Sequence, residues 1–364
     1  MKGRTSKASR NAARWTLLVL VLTAVLIPEP AAAQAQSAFV RVNQVGYALS
    51  AAKRAYLMAS ASEAGAAFTV KRVDGTTAYS APVGSSLGSW SASYPFVYAL
   101  DFDRLSTEGS FTIDVRGPAG ATSLSFRIDT ARHLYDGLVA NTLSFFRNER
   151  DGLSFIRSPL RKDPGHLNDA HAMTYLTPTF DGNDVLIGDL SPLNATIDAS
   201  GGWWDAGDYM KFVETHSYTV AALLMGVRDF TQQMGSGSET SNFSAEMKFG
   251  LDWLQRMWDD KTRTLYYQVG LANGNDQTVS DHDIWRLPQV DDTYGGSDPL
   301  FRYIRNRPVF RAGPPGSLIS PNLAGRLAAA FALCYQVYRE SDPQYAKRCL
   351  LSAEHVFDLA DTAP

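Results

Sequence analysis

Ser110-Phe-Thr-Ile-Asp-Val115 and Ala131-Arg-His-Leu134-Tyr-Asp-Gly-Leu138-Val-Ala-Asn-Thr142-Leu-Ser-Phe145-Phe146 lie on either side of a change of period. In the first, Phe111, Ile113 and Val115 alternate with polar residues, as a half-buried strand requires. In the second, Leu134, Leu138, Thr142 and Phe145/Phe146 recur at helical spacing and predict one apolar face. The junction near residue 130 therefore divides a strand-rich region from a helical one.

Upstream of that junction, short β-rich segments recur at Phe39–Val42, Arg54–Met58, Phe68–Val73, Tyr94–Phe102, Ser110–Val115 and Ser123–Ile128. Turn signals such as Asp74-Gly75, Glu108-Gly109 and Gly117-Pro118 separate them. This pattern predicts an immunoglobulin-like β-sandwich over residues 38–130, without the Cys…Trp…Cys spacing of antibody domains. Downstream, Val220, Leu223, Leu224, Val227 and Phe230 form one helical face, and Phe243, Met247, Leu251, Leu254 and Trp258 another. Ser320-Pro321 and Asp342-Pro343 read as N-caps followed by a first-position proline. The faces behind them are Leu323, Leu327, Phe331, Cys334 and Tyr338, then Tyr345, Cys349, Ala353, Val356 and Ala360. The irregular stretches 150–202 and 262–319 are long enough to be read as functional loops.

The chain starts with a basic stretch (Lys2, Arg4, Lys7, Arg10, Arg14), then the apolar run Trp15–Ile27, then Ala31-Ala32-Ala33. This is the order of a secretory signal peptide over residues 1–35. The run falls short of the roughly 20 residues of a membrane span, so the mature chain is expected outside the cell and off the membrane. Over 364 residues, 34 Lys+Arg against 37 Asp+Glu give a net charge of −3, which argues against a nucleic-acid partner. Hydrophobic residues make up 45% and charged residues 20%, the ordinary globular range. Cys334 and Cys349 can form at most one bridge, and two reduced core thiols fit the sequence equally well.

The segment with most chemistry is Gly201-Gly-Trp-Trp204-Asp205-Ala-Gly-Asp208-Tyr-Met-Lys-Phe212. Asp205 and Asp208, three apart where the chain is expected to enter a helix near Asp208, would project to one side. The flanking indoles, Trp204 among them, would make the surroundings a partly apolar cleft. One carboxylate could then deprotonate a water for attack on a glycosidic carbon, with the second helping to hold that water. Helix capping is the plainer use of such aspartates, although capping has no need of the indoles. In Asp281-His282-Asp-Ile-Trp285-Arg286-Leu-Pro288, the indole suits the apolar face of a sugar, and His, Asp and Arg suit its hydroxyls. Zinc would need closer His or Cys partners, so no metal is assigned. Gly165-His166-Leu-Asn-Asp169-Ala-His171 reads as loop structure.

Taken together, these segments resemble the family 9 glycoside hydrolases, the inverting cellulases. Val40-Arg-Val-Asn-Gln-Val-Gly-Tyr47 is similar to the opening of the immunoglobulin-like domain that precedes their catalytic domain. The Asp205–Asp208 segment, Asp281–Pro288 and Ser320-Pro-Asn-Leu-Ala-Gly-Arg-Leu-Ala-Ala-Ala330 resemble family segments in the family's order. The resemblance implies a barrel of six inner and six outer helices, an (α/α)6 fold, of which residues 131–364 would be the amino-terminal part. It implies Asp208 as general base, Asp205 as its partner in holding the water, and His282, Trp285 and Trp204 as substrate-binding residues. The implied substrate is a β-1,4-glucan, cut by a monomer when full length, with no cofactor. No segment matches the glutamate that serves as general acid, and Glu340 and Glu354 sit on ordinary amphipathic helices. The expectation is therefore an amino-terminal portion of a longer enzyme, inactive alone, with Leu323, Leu327 and Phe331 facing water. A catalytically silent glucan-binding protein is the alternative.

Overall fold

The computed structural model describes residues 37–235 and 237–363. The leader over residues 1–35 lies outside the described residues. The described residues divide into two compact units: residues 37–44, 52–105 and 109–126, and residues 45–51, 106–108, 127–235 and 237–363.

The first unit contains two sheets. One runs β1 (Ala38–Arg41), β3 (Arg54–Ala59) and β6 (Phe96–Asp101), all antiparallel, with Val40 opposite Leu57 and Leu57 opposite Tyr98. The other places β4 (Ala67–Arg72) between β5 (Thr77–Pro82) and β7 (Gly109–Arg116), with Val70 opposite Ile113 and β8 (Ala121–Thr122) added to β7. Alternation works as the sequence predicts: Phe111, Ile113 and Val115 of β7 are buried while their neighbours are not. Leu57 and Leu100 from one sheet and Phe68 and Val70 from the other are also buried. Phe126 joins Phe102 and Phe111 at ring-centroid distances of 5.6 and 6.1 Å. β5 was not foreseen, because Thr-Ala-Tyr-Ser-Ala-Pro has Thr77 as its one β-branched residue, carries two alanines and a proline, and alternates poorly.

In the second unit, β2 (Tyr47–Ala48) pairs in parallel with β9 (Phe126–Asp129) through Tyr47–Ile128 and Ala48–Asp129. Gly46 allows this at φ +115, where a Cβ would lie 2.7 Å from the Arg127 carbonyl oxygen. The helices are α1 (Ala131–Asn148), α2 (Val213–Asp229), the single turn α3 (Thr231–Met234), α4 (Phe243–Met257), the single turn α5 (Arg302–Arg305), α6 (Pro321–Tyr338) and α7 (Pro343–Asp358). Between them runs a small sheet ordered β11 (Pro192–Ile197), β10 (Ala172–Tyr175), β15 (Val309–Arg311), β14 (Thr264–Val269) and β12 (Lys211–Phe212), with β13 (Trp258–Asp259) paired to β14. This sheet ties the two long loop regions together and delivers β12 directly to the start of α2.

The core is formed where α6 packs against α2 and α7 and where α2 meets α4. Val220, Leu224, Met247, Leu251, Leu254, Leu327, Phe331 and Val356 are all fully buried there. Each such side chain contributes about 1.5–3 kcal/mol. Leu327 and Phe331 therefore do not face water, contrary to expectation, and Leu323 is partly covered. Neighbouring helices already close over that face. The exposed large apolar residues of α2 and α7 are Tyr218, Met225, Leu351 and Phe357, on other faces. Cys334 and Cys349 form a disulfide between α6 and α7, Cα–Cα 6.0 Å, resolving the choice the sequence left open.

Three local expectations change. On α1, Leu134 and Phe146 of the expected face are covered, but Leu138 and Phe145 are 43% and 58% exposed, and Val139 and Leu143 pack in their place. Asp342 caps α7 by accepting from the Tyr345 N–H, but Ser320 makes no side-chain cap at α6. Finally, α2 begins at Val213 rather than near Asp208. Positive φ at Ala206 (23°) and Gly207 (100°) turns the chain there, and Lys211–Phe212 is strand.

Candidate active site

The Asp205–Asp208 segment is a tight turn. The Asp208 N–H donates to the Asp205 carbonyl at 3.0 Å, and the Asp205 N–H to the Met210 carbonyl at 2.9 Å. The N-cap of α2 is Phe212, which makes no side-chain cap, so neither aspartate serves the capping role that the sequence also allowed. Gly202 (φ +78) brings the chain against Trp253, where a Cβ would lie 2.8 Å from the indole. Trp203 and Trp204 then part. Trp203 is buried, donates to Glu246 Oε1 at 2.8 Å and stacks on His216 at 4.4 Å. Trp204 lies between the Arg161 guanidinium (4.2 Å) and the Tyr209 ring (4.7 Å).

An open cleft of about 450 Å³ is lined by Asp208, Tyr209, Asp281, His282, Trp285 and Arg286, with Ala206, Gly207 and Ile284. The two segments singled out in the sequence thus meet, although more than seventy residues separate them. His282 Nε2 lies 3.2 Å from Asp208 Oδ2. Trp285 is 95% exposed, which for a residue of its size marks a surface rather than a packing role. Trp204 and Asp205 belong to the same turn but are not among the cleft-lining residues.

Burial raises the Asp208 carboxyl above the ordinary carboxylate range. The Met210 N–H, bonded to Oδ1 at 2.8 Å, opposes this; the Asp281 charge adds to it; and His282 opposes it. Burial wins. A carboxylate lifted in this way is a stronger base than a solvated one.

Beneath the turn lies a buried charge network that the sequence did not disclose. Lys211 Nζ reaches Asp151 at 2.9 Å, Asp169 at 3.0 Å and the carbonyls of Ala199 and Gly201. Arg307 bonds Asp151, Asp169 and the Tyr209 carbonyl. Arg286 bonds Asp281 and Asp291, and His166 bridges Asp151 and Asp291. His166 and Asp169, read as loop structure, are buried and bonded into this network. Gly165 before them has no room for a side chain: a Cβ would lie 2.5 Å from the Pro288 carbonyl oxygen. The available signal was Lys211, a lysine between Met210 and Phe212 just ahead of an apolar helix face. Among the described residues no helix is long and apolar enough to cross a membrane, and no group of three or more His, Cys, Asp or Glu is placed to hold a metal ion.

Residues 135–364 match the profile of "Glycosyl hydrolase family 9", and residues 35–119 that of "Cellulase N-terminal ig-like domain". Among curated relatives, Endoglucanase 19 of Oryza sativa subsp. japonica is 31% identical over 229 residues, covering 62% of this chain and 35% of the relative. A cellodextrinase of Butyrivibrio fibrisolvens is 28% identical over 340 residues, covering 88% of this chain and 52% of the relative. The chain thus spans between about a third and a half of their lengths. A metagenome-derived family 9 endoglucanase of known structure superposes with a TM-score of 0.62 at 22% identity, over 90% of this chain and 55% of that one. A family 9 protein of Bacteroides ovatus superposes with a TM-score of 0.61 at 21% identity, over 88% of this chain and 53% of that one.

Proposed function

The chain belongs to glycosyl hydrolase family 9, and from that premise we propose that it carries the base side of a secreted β-1,4-glucan hydrolase acting with inversion. Asp208 takes a proton from a water that attacks the anomeric carbon from the face opposite the leaving oxygen. Asp205, at the other end of the same turn, helps to hold that water. Trp285 offers its exposed indole to the apolar face of a sugar ring, and His282 steadies Asp208 and meets hydroxyl groups. Trp204 supports the turn through its contacts with Tyr209 and Arg161. We assign the general acid to none of these 364 residues. The basic, apolar, small-residue order of residues 1–35 supports secretion.

One observation carries the reading: a half-buried carboxyl, raised above its ordinary range, opens into a cleft that also presents a fully exposed tryptophan. A silent glucan-binding protein is the second reading, favoured by a cleft lining that contains no glutamate. β-Cellobiosyl fluoride separates the two, because fluoride leaves without needing a proton and so bypasses the acid. The expected outcome is fluoride release with α-cellobiose as the first product, followed by NMR. Binding of cello-oligosaccharides without fluoride release favours the silent reading, and β-cellobiose as first product contradicts inversion.

A further inference from the structure

The network under the turn has an arithmetic of its own. Asp151, Asp169, Asp281 and Asp291 face Lys211, Arg286, Arg307 and His166. His166 Nδ1 lies 2.7 Å from Asp151 Oδ1, and Nε2 lies 2.9 Å from Asp291 Oδ2. Carboxylates only accept, so both ring nitrogens donate and the ring is a cation. Four negative groups then balance four positive ones, and a neutral ring would leave one buried negative charge uncompensated, which is costly.

The network has two arms, and each ends on the residue next to Asp208. Asp151, Asp169, Lys211 and Arg307 form one arm, and Arg307 donates to the Tyr209 carbonyl. Asp291, Arg286 and Asp281 form the other, and Asp281 Oδ2 accepts from the Tyr209 N–H at 2.8 Å. His166 bonds to both arms. It is held at φ +56, a conformation that a non-glycine residue keeps only when its surroundings insist.

We propose that His166 is a positioning residue for Asp208: as a buried cation it locks together the two arms that grip the Tyr209 main chain, and loss of its proton loosens the turn that carries the base. The proposal rests on the reading of Asp208 as base.

Every charged neighbour of the ring bears on its titration. Asp151 and Asp291 contact it, Arg307 lies beside it, Lys211 and Asp169 stand behind Asp151, and Arg286 stands behind Asp291. Asp292 binds the Leu167 and Asn168 N–H groups. The Tyr209 ring lies 5.2 Å away, and its hydroxyl is pushed up to about 12 and stays neutral. The Trp204 ring lies 5.9 Å away, with Arg161 on its face. Burial and Arg307 lower the imidazole and the two carboxylates raise it; the net direction is upward. A histidine raised on folding stabilises below its ordinary value of about 6.5 and loses that contribution as pH rises through the folded value.

The test compares the full chain with its His166→Gln variant on β-cellobiosyl fluoride across pH, alongside NMR titration of the His166 ring and the Asp208 carboxyl. In the wild type, kcat should fall on the alkaline side together with deprotonation of His166. The variant should lose about 10- to 100-fold in kcat, as expected for a base displaced by a fraction of an ångström, with KM changed by less than about twofold. Its alkaline limb should flatten, and its acid limb should move down towards an ordinary carboxylate. A variant that melts lower but keeps kcat and both limbs overturns the proposal, as does a wild-type ring that is neutral at pH 6. If the variant does not fold, the wild-type titrations decide: an Asp208 signal that shifts as His166 loses its proton supports the proposal, and independent titrations overturn it. If the wild type releases no fluoride at any pH, the functional reading fails while the NMR titrations still decide on the positioning.

Discussion

The core between α2, α4, α6 and α7 and the floor beneath the Asp205–Asp208 turn are both closed to water, yet they are made of opposite materials. The core is apolar: Leu224, Leu251, Leu327 and Phe331 have no accessible surface, and one disulfide crosses it. The floor is ionic: Lys211, Asp151, Asp169 and Asp291 are equally buried, Lys211 pairing with Asp151 and Asp169, and Asp291 with His166 and Arg286. Burying apolar surface stabilises wherever it occurs and tolerates small shifts. A buried ion pair gains little net stability over an apolar substitute, but it fixes geometry and fails badly when one partner is removed. The fold rests on the first region, and the placement of Asp208 rests on the second.

Paired substitutions sharpen that contrast. Phe331→Ala in the core and Lys211→Met in the floor should each cost about 3–5 kcal/mol, the first through a cavity and the second through orphaned carboxylates. They should differ in function. At a temperature where both are folded, Phe331→Ala should keep its turnover of β-cellobiosyl fluoride, and Lys211→Met should lose most of it. Equal losses in the two variants, read against chemical denaturation curves, would break the division between core and floor. A smaller effect is expected at the rim. Trp285→Ala removes a residue that is 95% exposed, so stability should change by no more than about 0.5 kcal/mol by chemical denaturation. Its affinity for cellotetraose should fall about tenfold, a change of roughly 1.4 kcal/mol, by calorimetric titration. A large loss of stability with affinity unchanged would make Trp285 a structural residue.

The contrast also explains what could be read from the chain before its structure. Helical period placed Val220, Leu224, Met247 and Leu251 correctly on buried faces, because a core of this kind is written as local spacing; it also put Leu327 and Phe331 on one apolar face, but not that neighbouring helices cover it. The alternation at Phe111, Ile113 and Val115 located β7 for the same reason. Part of the stripe on α1 was read one position away, since adjacent apolar residues such as Leu138 and Val139 offer two faces and only tertiary packing chooses; Leu134 and Phe146 are covered as expected. For the site, the pairing of Asp208 with His282 and Trp285 was legible as motif order. The turn geometry was not, because the positive φ at Ala206 has no sequence signature. The floor escaped altogether. His166 and Asp291 lie 125 residues apart, and Asp151 and Arg307 lie 156 apart. Each taken alone is an ordinary polar loop residue.

The account's central claim is that Asp208 removes the proton from the attacking water. Its most direct test is the turnover of β-cellobiosyl fluoride by Asp208→Asn, a near-isosteric change that can keep the Met210 hydrogen bond. The account predicts a loss of at least about 100-fold in kcat, in the range for removal of a general base, with affinity for cellotetraose within about twofold of the wild type. Turnover equal to that of the wild type, at unchanged affinity, would contradict it.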